Sequence, residues 1–170
     1  MSLLQRVTLA VATGFGLGYA PVASGTFGTL AGVPLALALA RWHTQWGWQA
    51  AAAAALTLLA VPVCGAAERH FGSKDDGRIV ADEWMLFPIC LIGLPVLEHW
   101  RVLLPLGFVV ARLCDIVKPP PARRLERLRG GVGIVIDDLC ASLYALVLNH
   151  LLWRALLAVE NHCTGRFNWL

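Results

Sequence analysis

The chain has 170 residues, enough for one domain, of which 58% are hydrophobic and 15% charged, with a mean hydropathy of +0.64. A soluble domain carries about 25% charged residues, so the composition points to a single membrane-embedded domain over residues 1–170. A formal charge of +3, with no aromatic-studded basic stripe and no paired zinc-type cysteines, speaks against nucleic acid as a partner.

The opening residues, MSLLQRVTLAVATGFGLGYA, have one early arginine and an apolar stretch like a secretory leader. Glycines break that stretch, and no cleavage is expected. Runs free of Asp, Glu, Lys and Arg extend over 7–40, 42–67, 84–97, 102–111 and 139–153. The run 42–67 has the length of a full span, since crossing the hydrocarbon takes roughly 20 residues. As a helix, 84–97 reaches only about 21 Å at 1.5 Å per residue, against a hydrocarbon core of about 30 Å. Segments 84–97 and 102–117 are therefore short or tilted, or form a re-entrant hairpin turning at 98–101. The last run extends through Arg154 to about Val159, because an arginine near a helix end reaches the headgroups. The expected fold is all-α, a polytopic membrane helical bundle with several short or re-entrant helices.

Orientation follows from the basic residues. If 28–40, 46–67, 84–97, 102–117 and 139–159 each cross from a cytoplasmic start, the cytoplasmic side holds Arg6, Arg69, Lys74, Arg78 and the six basic residues from Arg112 to Arg129. The other side holds Arg41, Arg101, Arg154 and Arg166, as the positive-inside rule asks. The same assignment gathers every polar, glycine-rich cluster on the cytoplasmic face, and so does a re-entrant 84–111 unit.

Five cysteines, at 64, 90, 114, 140 and 163, have no CxxC spacing and read as small buried hydrophobes. A cysteine phosphatase wants an arginine six positions after its nucleophile; Cys114 is followed there by Pro120, and no other cysteine satisfies the spacing.

Acids gather in three places: Asp75, Asp76, Asp82 and Glu83 in KDDGRIVADEW; Asp115 in RLCDIVKP; Asp137 and Asp138 in GGVGIVIDDL. Taken alone, Asp137 and Asp138 suit an N-cap of the last helix, and Asp82 with Glu83 the start of the third segment. Three such clusters on one face point elsewhere. Two carboxylates about 4 Å apart repel by roughly 4 kcal/mol at an effective dielectric of 20, and a shared cation removes that penalty. All-oxygen ligands favour Mg²⁺ over zinc or copper.

Between the acids sit Arg112, Lys118, Arg123, Arg124, Arg127 and Arg129. Arg112, Asp115 and Lys118 are three apart and share a helical stripe. The run Pro119–Pro121 ends that helix and is expected to hold Lys118 extended, where its ammonium can meet a phosphate. The remaining arginines suit anionic headgroups. Backbone amides of GGVG at 130–133, Gly131 included, and of SGTFG at 24–28 can line an anion pocket, with Ser24 and Thr26 adding hydroxyls.

With these residues in view, ATGFGLGYAPVASGTFGTLAGVP (12–34), KDDGRIVADE (74–83) and RLCDIVKPPPARRLERLRGGVGIVIDDLCASLYA (112–145) resemble the bacterial phosphatidylglycerophosphatase A family. These are membrane enzymes that remove the terminal phosphate of phosphatidylglycerophosphate to give phosphatidylglycerol. The third segment, with R-x-x-D-x-x-K-P and G-G-x-G-x-x-x-D-D, is the most specific. The resemblance implies Mg²⁺-dependent phosphomonoester hydrolysis in the bacterial cytoplasmic (inner) membrane, with the site facing the cytoplasm. It implies Asp75, Asp82, Glu83, Asp115, Asp137 and Asp138 as the polar set, Arg112 and Lys118 as the basic pair, and Ser24, Gly25 and Thr26 as the first loop. Leu86 and Ser142 depart from the glycines expected at those positions.

The chain lacks the D-x-D of aspartyl-phosphate enzymes and the S-G-H of histidine-nucleophile lipid phosphatases. The expected mechanism is therefore metal-assisted attack by water. Two rivals stand beside it. A CDP-alcohol phosphotransferase needs D-G-x-x-A-R, but Asp76-Gly77 is followed by Val80-Ala81. A non-enzymatic anionic-lipid-binding protein would use the acids only as caps.

Overall fold

The computed structural model describes residues 1–125 and 128–164, and Arg127 and Arg166 lie outside them. Among the described residues the chain is helical throughout, without strands: α1 (Leu3–Ala12), α2 (Ser24–Ala40), α3 (Trp46–Phe71), α4 (Ala81–Leu86), α5 (Trp100–Val117), α6 (Ala122–Leu125) and α7 (Gly131–Thr164), with short 3₁₀ turns at Leu17–Tyr19, His43–Gln45 and Phe87–Leu91. Two stretches, His43–Phe71 and Gly131–Cys163, are long and apolar enough to cross a membrane. Their flanks expose large apolar side chains, among them Leu58, Leu59, Val147 and Leu151, as lipid-facing helices do.

Helix α7 packs along both α3 and α5. The crossing with α3 is tight because Gly131 faces Gly65: a methyl added to Gly131 would collide with the Val61 carbonyl and approach the Gly65 amide to 2.7 Å. Helix α1 starts with a capping box between Ser2 and Gln5 and lies against α3. Its end is tied to α4, since the Val80 amide donates to the Ala12 carbonyl (2.9 Å) and the Trp84 indole to the Val11 carbonyl (3.1 Å).

Segment 84–97 is where the structure departs from a simple crossing. Helix α4 lasts six residues, gives way to the 3₁₀ turn, and the chain then turns back through Pro95 into α5. All of Met85–Leu91 is buried, wedged between α2, α3 and α7. Irregular backbone buried in this way is tolerable only where its polar groups find partners in the surrounding protein. Three side chains from the long helices take up its unpaired backbone groups. Asn149 donates to the Cys90 carbonyl (2.9 Å), a His150 ring nitrogen lies 2.8 Å from the Ile92 carbonyl, and Gln49 accepts from the Gly93 amide (2.7 Å). Gln49 and Asn149 are themselves buried.

Candidate functional site

Four elements bring the polar residues together at one end of the bundle. Helix α4 carries Asp82 and Glu83 in its first turn. Helix α2 lies against it through a stripe of small residues spaced as helical neighbours, Gly25, Gly28 and Gly32. A methyl added at Gly25 would run into Glu83 Oε1, one at Gly28 into Glu83 Oε2, and one at Gly32 would come within 2.8 Å of Phe87 Cβ and the Trp84 carbonyl. The glycines of SGTFG thus make the groove in which Glu83 rests.

From α5, Arg112 reaches this carboxylate: Nη1 lies 3.4 Å from Glu83 Oε1, 3.0 Å from Asp115 Oδ2 and 3.3 Å from the Thr29 hydroxyl, to which it donates. Thr29 is buried and donates in turn to the Gly25 carbonyl (3.0 Å). The expected stripe of Arg112 and Asp115 is therefore present as an ion pair. Lys118 differs from expectation. Helix α5 stops at Val117 and Lys118 caps it in the left-handed conformation (φ 48°) rather than extended, because its amide donates back to the Cys114 carbonyl (2.8 Å). That turn swings Nζ to 2.7 Å from Asp137 Oδ2 on α7. Tyr144 secures the following loop by donating to the Pro120 carbonyl (2.7 Å).

Asp137 and Asp138 do not cap α7. The helix begins at Gly131, so both lie well inside it, where neighbouring amides are already bonded within the helix. Both are nearly buried, Asp137 at 6% and Asp138 at 9% exposure. Asp115, Asp137 and Asp138 each offer an oxygen, and the three oxygens lie within 4.8 Å of one another. Beside them, Asp82 Oδ1, Glu83 Oε2 and Arg112 Nε are buried with no hydrogen-bond partner among the described residues. Burial first, then the charges of Glu83, Asp75 and Asp137, hold the Asp82 carboxyl well above the usual carboxylate range. Burial likewise pushes Glu83 up to about 8, although the Arg112 guanidinium pulls the other way.

The other predicted positions fall around this cluster. Asp75 is exposed in the 72–80 loop, in a left-handed turn (φ 51°), outside the three-acid group. Ser24 opens α2 and Thr26 follows it, both half-buried, and Ser24 Oγ is close to Gly77 across the site. Gly131 is buried in the α3–α7 crossing, which accounts for it by packing. Asp76 grips Arg78: Oδ1 accepts from the Arg78 amide (3.0 Å) and Nε (2.7 Å), and Oδ2 from Nη2 (2.8 Å). Sequence reasoning missed Thr29 and singled out Ser142 only as a departure from an expected glycine. Both line the cleft formed with Glu83, Arg112, Asp115 and Asp138. The signal for Thr29 was its place one turn after Gly25, on the face toward Arg112.

An acid cluster flanked by two bases, in a helical chain with two helices long and apolar enough to cross a membrane, is an arrangement suited to an enzyme that handles a phosphorylated group. The comparisons make this specific: residues 10–153 match the family model described as Phosphatidylglycerophosphatase A, and the chain belongs to that family. It is therefore a phosphatase acting on phosphomonoesters. A protein of Bacteroides thetaiotaomicron named "Putative phosphatidylinositol-3-phosphatase" is 34% identical over 141 residues, covering 81% of this chain and 88% of its own length. Phosphatidylglycerophosphatase A of Escherichia coli is 35% identical over 137 residues, 78% of this chain and 75% of its own. The Haemophilus influenzae protein of the same name is 36% identical over 149 residues, 87% and 89% respectively. No solved structure matches the chain.

Proposed function

We propose that the chain hydrolyses phosphatidylglycerophosphate to phosphatidylglycerol and phosphate at the cytoplasmic face of the bacterial inner membrane, with Mg²⁺ as cofactor. The observation that carries the reading is the convergence of the Asp115, Asp137 and Asp138 oxygens within 4.8 Å, next to Arg112 and Lys118. Such a donor set fits a hard divalent ion, because its like charges need a cation and all its ligands are oxygens. Asp115, Asp137 and Asp138 would hold the ion, which when bound would polarise the phosphoryl group and acidify water.

The chain's own side chains do the rest. Arg112 and Lys118 can bind the phosphoryl oxygens and oppose the charge that builds on them during transfer. Arg112 has a spare buried donor for this in Nε. Asp82, whose Oδ1 has no hydrogen-bond partner among the described residues, can take the proton of the attacking water. Ser24 and Thr26, half-buried in the first turn of α2, can offer hydroxyls to the substrate's glycerol phosphate. Thr29 and Gly25 fix Arg112 and Glu83 in place.

Phosphate release from phosphatidylglycerophosphate by purified protein, with EDTA and then with Mg²⁺ restored, tests the reading. Abolished and recovered activity is expected, and full activity in a rigorously chelated sample would overturn the metal assignment. The name of the Bacteroides relative favours a second substrate, phosphatidylinositol 3-phosphate. Run in parallel, the lipid with the higher kcat/KM decides between the two.

A further inference from the structure

We infer that the groove between α2 and α5 seats an acyl chain of the lipid phosphate whose headgroup occupies the site; this rests on the lipid-phosphatase reading above. Arg112 projects from α5 onto α2, where it meets Thr29. Stepping back along α5 by helical turns from Arg112 reaches Phe108, Leu104 and Arg101 on the same face. On α2, Val33 lies one turn on from Thr29, and Leu30 flanks it on the exposed side. These residues, with Trp100, Pro105 and Val109, line one open groove.

The groove therefore begins one turn from the guanidinium at the site and runs away from it between the same two helices. From residue 112 to 101 is about 16 Å at 1.5 Å per residue, close to half of the roughly 30 Å hydrocarbon core. That is the depth open to a chain anchored by its headgroup in one leaflet. The walls are apolar, and the one charged side chain, Arg101, lies at the end remote from the site. Val33, Leu104 and Phe108 form the floor, since they pack on the buried core, whereas Leu30 and Val109 are half exposed on the rims. A headgroup fixed at Arg112 and Lys118 puts the glycerol backbone at the mouth of this groove, so the two ends of one lipid fit two adjoining sites of opposite polarity.

The test compares dioleoyl- with dihexanoyl-phosphatidylglycerophosphate in detergent micelles, for wild type and for Val33→Trp and Leu104→Trp, each of which fills the groove. In parallel, a dioleoyl analogue carrying a diazirine on its acyl chain is photo-cross-linked to the wild-type protein, and the labelled residues are mapped. The expected result is a roughly tenfold fall in the long-chain to short-chain ratio of kcat/KM in both variants, with cross-links on α2 and α5 between residues 30 and 109. An unchanged ratio in folded variants overturns the proposal, whether or not both rates fall together, and so do cross-links confined to α3 or α7. A wild type that hydrolyses neither lipid overturns the phosphatase reading instead, and the cross-link map then decides the groove alone.

Discussion

Lys118 Nζ stands 2.7 Å from Asp137 Oδ2, so the left-handed cap of α5 is latched to the second turn of α7. The latch fixes the relative height of two helices that carry three acids between them. Lys118→Met leaves Asp137 buried beside Asp138 without its ammonium and removes one of two cations available to the phosphoryl group. A drop of roughly 100-fold or more in kcat is expected, with the helical circular dichroism spectrum retained. Turnover near wild type would remove Lys118 from the chemistry.

The acids separate from caps by charge. Asn and Asp cap helices about equally well, but Asp115, Asp137 and Asp138 sit inside helices where no cap is needed. Asp115→Asn, Asp137→Asn and Asp138→Asn should each insert and fold yet lose orders of magnitude in phosphate release. Asp76→Asn is the contrasting variant: it keeps an oxygen for the Arg78 amide, so turnover should stay close to wild type while the 72–80 loop loosens. The Asp76 carboxyl is held below the usual range by its Arg78 hydrogen bonds. Its stabilising contribution is therefore present above about pH 3.8 and lost as pH falls through the lower folded value.

Glu83 has the opposite sign. Its folded value of about 8 lies above the ordinary 4.5, so between these limits the folded protein holds a proton that the unfolded chain has released. Stability of the metal-free protein should therefore fall as pH rises from about 5 to 8, read as Tm in EDTA. Mg²⁺ should raise Tm more at pH 8 than at pH 6. Glu83→Gln should make the EDTA profile shallower over this window, with the remaining slope coming from Asp82, whose carboxyl is also raised; an unchanged slope would rule out Glu83 as a contributor.

Three glycines sort site from scaffold. Gly25→Ala presses on Glu83 and Arg112, so it should reduce kcat before it reduces Tm. Gly32→Ala meets the Trp84 carbonyl and Phe87 Cβ at 2.8 Å, neither of which is a flexible end, and should cost about 1–3 kcal/mol of stability. Gly47→Ala faces open space in the first turn of α3 and should be neutral or stabilising by about 0.4–1 kcal/mol. Thermal unfolding and phosphate release measured on the same three proteins check the pattern.

The long helices were legible because an apolar run of span length leaves few alternatives, as in α3. Helix α5 was legible at its end through the proline run, although the conformation of Lys118 was not. Pro119 disfavours the right-handed helical region for the residue before it, and the bond from the Lys118 amide to Cys114 selected the left-handed region over the extended one. The start of α7 was misplaced by the capping reading because Gly130 and Gly131 resemble a loop. Contact with Gly65 and Val61 is what lets the helix begin there. Segment 84–97 could not be resolved from its own residues, since what permits the break lies at Gln49, Asn149 and His150, far away in sequence. The same holds for Thr29, whose role depends on a guanidinium 83 positions later.

Because the backbone from Cys90 to Gly93 is held by side chains of α3 and α7, the candidate site has an order of birth. Asp82 and Glu83 are synthesised early and Asp115 later, but Asp137, Asp138, Asn149 and His150 all arrive on the final helix. A nascent chain that has made only α1 to α5 therefore has a turn lacking Asn149 and His150 and, of the three clustered acids, Asp115 alone. On the proposed assignment of the acids, a chain that stops short of α7 should be inert toward lipid phosphates, because Asp115 then lacks the Asp137 and Asp138 oxygens that complete the cluster.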